Sequence, residues 1–359
     1  MQQTIDANKT LLVDGPASVQ VAAGKVEVFG YQPKQEVIVV REGKRLPFYV
    51  VEKATFNVSL GAHASMQEIE GNTVPQSWSK TFEAVLSVQQ KPTTVLILGK
   101  IDSGKSSFCT YIVNKLLTEA CRVAVLDGDI GQSDIGPSGT IGYGVTSKSI
   151  TELHRLKLQN AFFVGITSPI LAIVKTIEGL TTMKGELLQR APDFVVINTD
   201  GWVSGDIAIR YKTALVKELK PDVIVAIQRQ DELEPLIASL EAPIIRIDSS
   251  TSLSPRTAEK RRNLREMTYS RYLEGAKIQC YPLNQVTVEP KDALPKRQEP
   301  NKGLLLGLHA KNKFLGIGVL RSIDPVRKVL KIQTSISAVP SKIVLGKVLL
   351  DRKLCEIQD

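Results

Sequence analysis

The chain has 359 residues, 43% hydrophobic and 23% charged, with 46 Lys+Arg against 37 Asp+Glu for a formal net charge of +9. At roughly 150 residues per domain that length predicts two or three domains with sizeable cores, and the composition excludes long disorder, collagen and coiled coil as the main architecture. No apolar run approaches the roughly 20 residues that cross a bilayer, Met1-Gln2-Gln3-Thr4 lacks a signal-peptide pattern, and the four cysteines are scattered without a CxxC pair, so a reduced, soluble, cytoplasmic protein without membrane contact is expected.

Residues 10–75 alternate short apolar runs, such as Ser18-Val19-Gln20-Val21 and Glu36-Val37-Ile38-Val39-Val40, with Gly, Pro and Asn. Period-2 alternation with frequent turns predicts an N-terminal all-β domain over 1–88, sandwich-like in form. Its one imidazole, His63, reads as a surface residue. Near residue 90 the texture changes. Thr93-Thr94-Val95-Leu96-Ile97-Leu98 is a continuous apolar run, as expected of a strand buried on both faces. A glycine-bounded loop follows, then a helix near 106–117 with Phe108, Ile112 and Leu116 at i, i+4 and i+8. Further buried strands are expected at 123–126, 162–164, 194–197, 223–227 and 244–247, with helices between most of them. This alternation predicts an α/β fold, with a central parallel sheet covered on both faces over 89–275. From 276 to 359 short strands return at 304–307, 314–320, 329–334 and 343–350, predicting a small C-terminal β domain, and the Pro- and charge-rich stretch Glu289–Lys302 reads as an exposed loop.

The positive charge is unevenly placed. Residues 250–275 carry 6 basic and 3 acidic side chains, and residues 276–359 carry 15 and 7, whereas each earlier segment is near neutral. Such asymmetry fits a polyanionic partner, and equally a solubilising surface.

Gly99-Lys100-Ile101-Asp102-Ser103-Gly104-Lys105-Ser106 fits G-x-x-x-x-G-K-[ST] after a buried strand and before a helix, the context that gives the motif its meaning. Glycines let backbone N–H groups converge on phosphate oxygens, and the helix N-terminus adds positive potential. Lys105 can neutralise the β- and γ-phosphates and Ser106 can ligate Mg²⁺. With Ser107 these residues form the expected nucleotide set. Twenty-two residues after Lys105, a predicted strand ends in Asp127-Gly128-Asp129. Carboxylates at the carboxyl end of a strand neighbouring the P-loop strand serve a metal and an attacking hydroxyl. Asp127 is assigned to the metal side and Asp129 as the base. The following Gly131-Gln132-Ser133 and Gly136-Pro137-Ser138-Gly139 form a second glycine-rich loop suited to an acceptor.

Three P-loop classes compete. A GTPase needs N-K-x-D after a later strand, and Asn114-Lys115-Leu116-Leu117 lacks the Asp and lies in the first helix. A MinD-like dimeric ATPase carries lysine after the first glycine. Lys100 matches, but Ile101 and Asp102 stand where further glycines belong. A kinase that phosphorylates a bound hydroxyl favours a carboxylate base and a mobile basic lid, and Arg256 to Arg265 supplies one, with Arg261 and Arg265 on one helical face at i,i+4.

The ordered set Asp102-Ser103-Gly104-Lys105-Ser106, Asp127-Gly128-Asp129-Ile130-Gly131-Gln132, Thr199-Asp200-Gly201-Trp202 and an arginine lid followed by Tyr272-Leu273-Glu274-Gly275 resembles the polynucleotide 5′-hydroxyl kinases. That family includes the archaeal RNA 5′-kinases and the RNA kinase subunit of the eukaryotic pre-mRNA cleavage complex. Gly15-Pro16 and Thr73-Val74-Pro75-Gln76-Ser77-Trp78 extend the likeness into the N-terminal domain. The resemblance implies ATP- and Mg²⁺-dependent transfer of the γ-phosphate to the 5′-OH end of RNA, or of DNA, and protein partners in RNA processing. It implies lid arginines Arg256 and Arg261, a lid near 255–272, an acceptor clasp at Thr199 and Trp202, and substrate contacts from Gln132, Arg262 and Arg265. An indole face such as that of Trp202 can stack on a terminal base without demanding sequence. Relatives that have lost catalysis serve as nucleotide-bound scaffolds, which is the alternative reading.

Overall fold

The computed structural model describes residues 1–253, 255–290 and 302–357. Six strands come first, β1 (Gln2–Ile5), β2 (Lys9–Asp14), β3 (Ala17–Glu27), β4 (Val37–Val40), β5 (Arg45–Leu60) and β6 (Ser65–Glu70), then helix α1 (Gln76–Leu86). The middle of the chain holds β7 (Thr93–Gly99), α2 (Lys105–Thr118), β8 (Val123–Gly128), β9 (Thr140–Thr146), β10 (Asn160–Phe163), α3 (Ile173–Leu188), β11 (Phe194–Thr199), α4 (Asp206–Leu219), β12 (Val223–Gln228), α5 (Glu234–Ile237), β13 (Ile244–Asp248) and α6 (Ala258–Tyr272). The last strands are β14 (Lys277–Pro282), β15 (Thr287–Glu289), β16 (Gly303–Ala310), β17 (Lys313–Asp324), β18 (Val329–Thr334) and β19 (Lys342–Leu350). These elements form two compact units, one of residues 1–125, 145–156 and 190–256, the other of 126–144, 157–189 and 257–359.

In the first unit the N-terminal strands make one antiparallel sheet in the order β4-β3-β5-β2-β6, with β1 on β5. The expected sandwich is thus a single hydrogen-bonded sheet. The 16-residue β5 joins it, pairing with β2 through Arg45–Tyr49 and with β1 through Ala54–Asn57. Phe48, Val50, Phe56 and Val58 of β5 alternate into the core. Helix α1 lies in a stretch read as β. Pro75 caps it, and Trp78, Phe82 and Val85 recur at helical spacing on its buried face. Trp78 is fully buried and meets the rings of Phe108 and Tyr111 on α2 edge-on, at 5.2 and 5.6 Å. Beyond it, β11-β7-β12-β13 pair in parallel. Every residue of the central strand β7 is buried, as its continuous apolar run predicts.

The second unit takes the end of β8, Leu126-Asp127-Gly128. Here β9 and β10 pair antiparallel, so the sheet expected to be parallel carries an antiparallel pair. Strand β9, Thr140-Ile141-Gly142-Tyr143-Gly144-Val145-Thr146, escaped the sequence reading because two glycines interrupt its apolar pattern. The six C-terminal strands form a sheet in the order β14-β18-β17-β16-β19-β15, antiparallel except for β15 on β19. One face closes on Leu306, Leu308, Leu320, Leu330 and Ile332. The other packs Leu305, Ile317 and Val319 against Phe163 of β10, Tyr269 of α6 and Leu273 just after it. Of the expected loop Glu289–Lys302, residues 291–301 lie outside the described residues. Among the described residues no helix is long and apolar enough to cross a membrane.

Removing a fully buried large aromatic leaves a cavity, so Trp78→Ala should destabilise the first unit by about 3–5 kcal/mol; guanidinium unfolding followed by far-ultraviolet circular dichroism measures it.

Candidate nucleotide and acceptor site

Between Gly99, the last residue of β7, and Lys105, the first of α2, the chain turns from strand to helix through two left-handed residues, Asp102 (φ 58°) and Gly104 (φ 98°). Gly104 adopts this conformation without Cβ strain, and a Cβ there would lie 2.9 Å from Leu253 Cδ1. Lys105 is 7% exposed, and its Nζ donates to the carbonyls of Gly99 (2.9 Å) and Lys100 (2.8 Å). The ammonium is thus held over the loop that it is expected to serve. The Ser103 hydroxyl is buried without a hydrogen-bond partner. Helix α2 has no side-chain cap, which leaves its first-turn N–H groups as donors for an anion. Ser106 and Ser107, half-buried, sit in that first turn. An orphaned hydroxyl, an uncapped N-terminus and an ammonium beside the loop carbonyls fit a polyphosphate.

A strap of residues 248–253, with Arg256, holds this loop from outside. Ser249 Oγ donates to the Ser103 carbonyl (2.8 Å), and Leu253 covers Gly104. Arg256 reaches Asp102 Oδ1 with Nε (2.8 Å) and Nη2 (2.7 Å), while its backbone N–H donates to Oδ2 (3.0 Å). The strap is in turn tied to the N-terminal region. Ser250 Oγ donates to the Thr73 carbonyl (2.8 Å), Ser77 Oγ to Asp248 Oδ2 (2.8 Å), Trp78 Nε1 to the Asp248 carbonyl (2.9 Å) and Arg45 Nη1 to the Ser252 carbonyl (3.0 Å). The Thr73–Trp78 motif therefore steadies the strap and, through it, the phosphate loop.

The Thr199–Trp202 motif follows β11. Thr199 is fully buried and its hydroxyl donates to the Ile97 carbonyl on β7 (2.7 Å). The hydroxyl expected on the substrate thus ties two strands together. Gly201 passes so close to the phosphate loop that a Cβ would lie 2.5 Å from the Ile101 backbone nitrogen. Trp202 is half-buried and stacks on Tyr211 (centroids 5.8 Å apart, planes at 25°). Asp200, between them, carries three bonds from groups the sequence reading missed, Tyr211 and Lys212 of α4. A lysine within the apolar stripe of Ala208, Tyr211, Leu215 and Leu219 is the signal that could have found them.

The second unit holds the carboxylates and the lid helix. Asp127 is fully buried, and its Oδ2 accepts from the backbone N–H groups of Asp134 (2.6 Å) and Ile135 (3.1 Å). It braces the glycine-rich loop. Asp129 Oδ1 accepts from the N–H groups of Gly131 (3.1 Å) and Gln132 (2.9 Å). The Gln132 amide donates to the carbonyls of Gly131 (2.7 Å) and Arg261 (3.0 Å), joining acceptor loop to lid helix. The basic stretch expected as a lid is helical over Ala258–Tyr272, α6, and is capped by the Thr257 hydroxyl on the Lys260 N–H. Arg262 and Arg265, expected on substrate, are engaged by the chain's own acids. Arg262 Nε donates to Glu266 (2.9 Å) and its Nη2 to the Glu356 carbonyl, and Arg265 grips the Glu356 carboxylate at 2.7 and 2.5 Å. Burial pushes the Tyr269 hydroxyl well above its ordinary pKa, so it stays a donor to Glu356 (3.2 Å).

Lys100 is exposed, and its charge acts on Glu232 after β12. Burial pushes Glu232 up, but the N–H groups of Arg229 and Gln230 together with Lys100 outweigh it and lower the carboxyl. Lys105, Ser106, Thr199, Trp202 and Arg256 thus lie in the first unit, and Asp127, Asp129, Gln132, Arg261, Arg262 and Arg265 in the second.

Residues 99–275 match the family described as the mRNA cleavage and polyadenylation factor CLP1 P-loop. Over those residues the chain is similar to that family. A polyribonucleotide 5′-hydroxyl-kinase of Pyrococcus abyssi is 32% identical, with 63% of each chain aligned, and one of Thermococcus kodakarensis is 31% identical over 60% of this chain and 61% of its own. The chain thus spans less than two thirds of the length of the curated relatives it matches. A chain of the solved Clp1p–Pcf11p complex superposes with a TM-score of 0.75 at 13% identity, covering 97% of both chains. That likeness extends the fold, mixed α/β around a P-loop, over nearly the whole chain.

Because the neighbour of residue 201 is backbone, Gly201→Ala should displace the Ile101 turn and weaken ATP binding about tenfold or more, while Gly185→Ala, which meets nothing within 4 Å, should leave it unchanged; isothermal titration calorimetry distinguishes the two.

Proposed function

We propose that the chain is an ATP-dependent polynucleotide 5′-hydroxyl kinase acting on the 5′-OH end of RNA. The observation that carries this reading is the pairing of a complete phosphate loop, Gly99–Ser106, with the Asp127-Gly128-Asp129 loop, in a chain whose relatives bear the name polyribonucleotide 5′-hydroxyl-kinase. The loop N–H groups and Lys105 bind and orient the β- and γ-phosphates. Asp129 orients the 5′-hydroxyl and takes its proton as the oxygen attacks phosphorus in line with the departing ADP. Arg256 and Arg261 add positive charge for the transferring phosphoryl group. Arg256 then exchanges Asp102 for phosphate, a like-for-like swap of anionic partners. Trp202 offers a face on which the terminal base stacks.

Ser106 and Asp127 are the residues that would hold Mg²⁺, a hard cation that takes oxygen ligands. Each is an oxygen donor of the kind such an ion takes, Ser106 a hydroxyl in the first turn of α2 and Asp127 a carboxylate whose Oδ2 also accepts from the Asp134 and Ile135 N–H groups. Bound there, the ion supplies charge neutralisation to the phosphates. A second reading, a nucleotide-bound scaffold in an RNA-processing complex, draws on the solved neighbour being a complex with Pcf11p. A MinD-like dimeric ATPase has less support, since only the exposed Lys100 favours it.

Incubation with γ-labelled ATP and a 5′-OH oligoribonucleotide should place label on the RNA 5′ end, with the matching oligodeoxynucleotide reporting whether DNA also serves. ATP hydrolysed only to free phosphate sinks the kinase reading. Asp129→Asn keeps an acceptor for the Gly131 and Gln132 N–H groups but loses the base, so transfer should fall about 10²–10⁴-fold with ATP binding retained.

A further inference from the structure

Lys212 is fully buried on α4, in line with the apolar side chains that cover the sheet. Its Nζ donates to Asp200 Oδ2 (2.8 Å) and to the Asp200 carbonyl (3.1 Å). The Tyr211 hydroxyl donates to the same Oδ2 (2.8 Å), and Asp200 Oδ1 accepts the Trp202 backbone N–H (3.0 Å). The Lys212 ammonium also lies 4.7 Å from the centre of the Tyr211 ring, on which Trp202 stacks. Each contact ends on the tripeptide Asp200-Gly201-Trp202 or on the ring that supports its indole.

A buried ion pair adds little stability over apolar side chains of the same volume, and its attested use is to fix one geometry. A leucine or methionine at 212 would complete the α4 stripe. We infer that Lys212 and Asp200 are positioning residues for the acceptor clasp. They fix the Trp202 indole by holding its backbone N–H and its stacking partner Tyr211, and so set how well the 5′ end of RNA is bound. The backbone of Gly201 is placed against the phosphate loop by β11 pairing with β7, which does not require Lys212. The inference rests on the kinase reading and deepens it, because it separates a group that tunes the acceptor from those that bind nucleotide.

The test is Lys212→Met in the full chain, beside the charge-balanced double variant Asp200→Asn/Lys212→Met. Steady-state transfer to a 5′-OH oligoribonucleotide should show KM for RNA raised about tenfold or more, the loss expected when a stacked base is no longer supported. KM for ATP should be unchanged. Acrylamide quenching gives a second readout independent of catalysis. Trp78 is fully buried, so quenching reports Trp202, and it should rise in the variants and respond less to added RNA. Unchanged KM for RNA and unchanged quenching overturn the inference, as do equal losses in both KM values, which mark a structural role only. Should Lys212→Met fail to fold, Tyr211→Phe keeps the ring and removes one bond to Asp200, and is read the same way. If wild-type protein transfers no phosphate, the kinase reading falls, while quenching still decides whether Lys212 orients Trp202.

Discussion

A phosphate loop is a concentration of like-oriented dipoles. Several N–H groups aim at one point, and nothing within the loop offsets their repulsion until an anion arrives. Here the turn also contains a non-glycine residue in the left-handed region, Asp102, a conformation that costs of order 1 kcal/mol or more outside glycine. The loop therefore has to be held by what surrounds it. Ser249 binds it, Leu253 covers it, Gly201 lies against Ile101, and Arg256 holds Asp102 by side chain and backbone together. The N-terminal sheet and α1 act on the site through this outer frame, since Thr73, Ser77, Trp78 and Arg45 fasten the strap.

The same device recurs in both units. A carboxylate collects donors from a short stretch of chain and fixes its shape. Asp127 gathers the N–H groups of residues 134 and 135, Asp129 those of 131 and 132, and Asp200 that of 202. Hydrogen bonds from N–H groups to a charged acceptor are shorter and stronger than neutral ones. Each therefore turns a glycine-containing loop, which entropy would leave mobile, into a defined surface. Glu356 does the same at larger scale, its carboxylate receiving Arg265 and Tyr269 of α6 while its carbonyl receives Arg262.

How much of this was legible depended on range. Strand β7 follows from its continuous apolar run and helix α2 from its i, i+4, i+8 spacing, each placed within a residue or so, and the basic stretch picked out by its arginines is helical as α6. The phosphate loop was legible in full because its chemistry is contiguous. Helix α1 was hidden behind Pro75 in a β-rich region, and β9 behind its two glycines. Side-chain roles that depend on distant partners did not follow from residue type. Arg265 looked like a phosphate ligand until Glu356, 91 residues away, was seen to hold it. Thr199 looked like an acceptor contact until its hydroxyl was found on Ile97. Sequence reports what a side chain can bind, whereas only the fold reports what already occupies it.

The division of the chain has a consequence for its birth on the ribosome. The first unit is complete at Arg256, and every residue that frames the phosphate loop lies within it. The carboxylate that holds Arg265 and Tyr269 of α6 comes only with Glu356. Domains fold as units during vectorial synthesis, N-terminal parts first. A nascent chain that has emerged through residue 256 thus already holds every contact that frames the phosphate loop, while α6 and the Glu356 that binds it are still to be made.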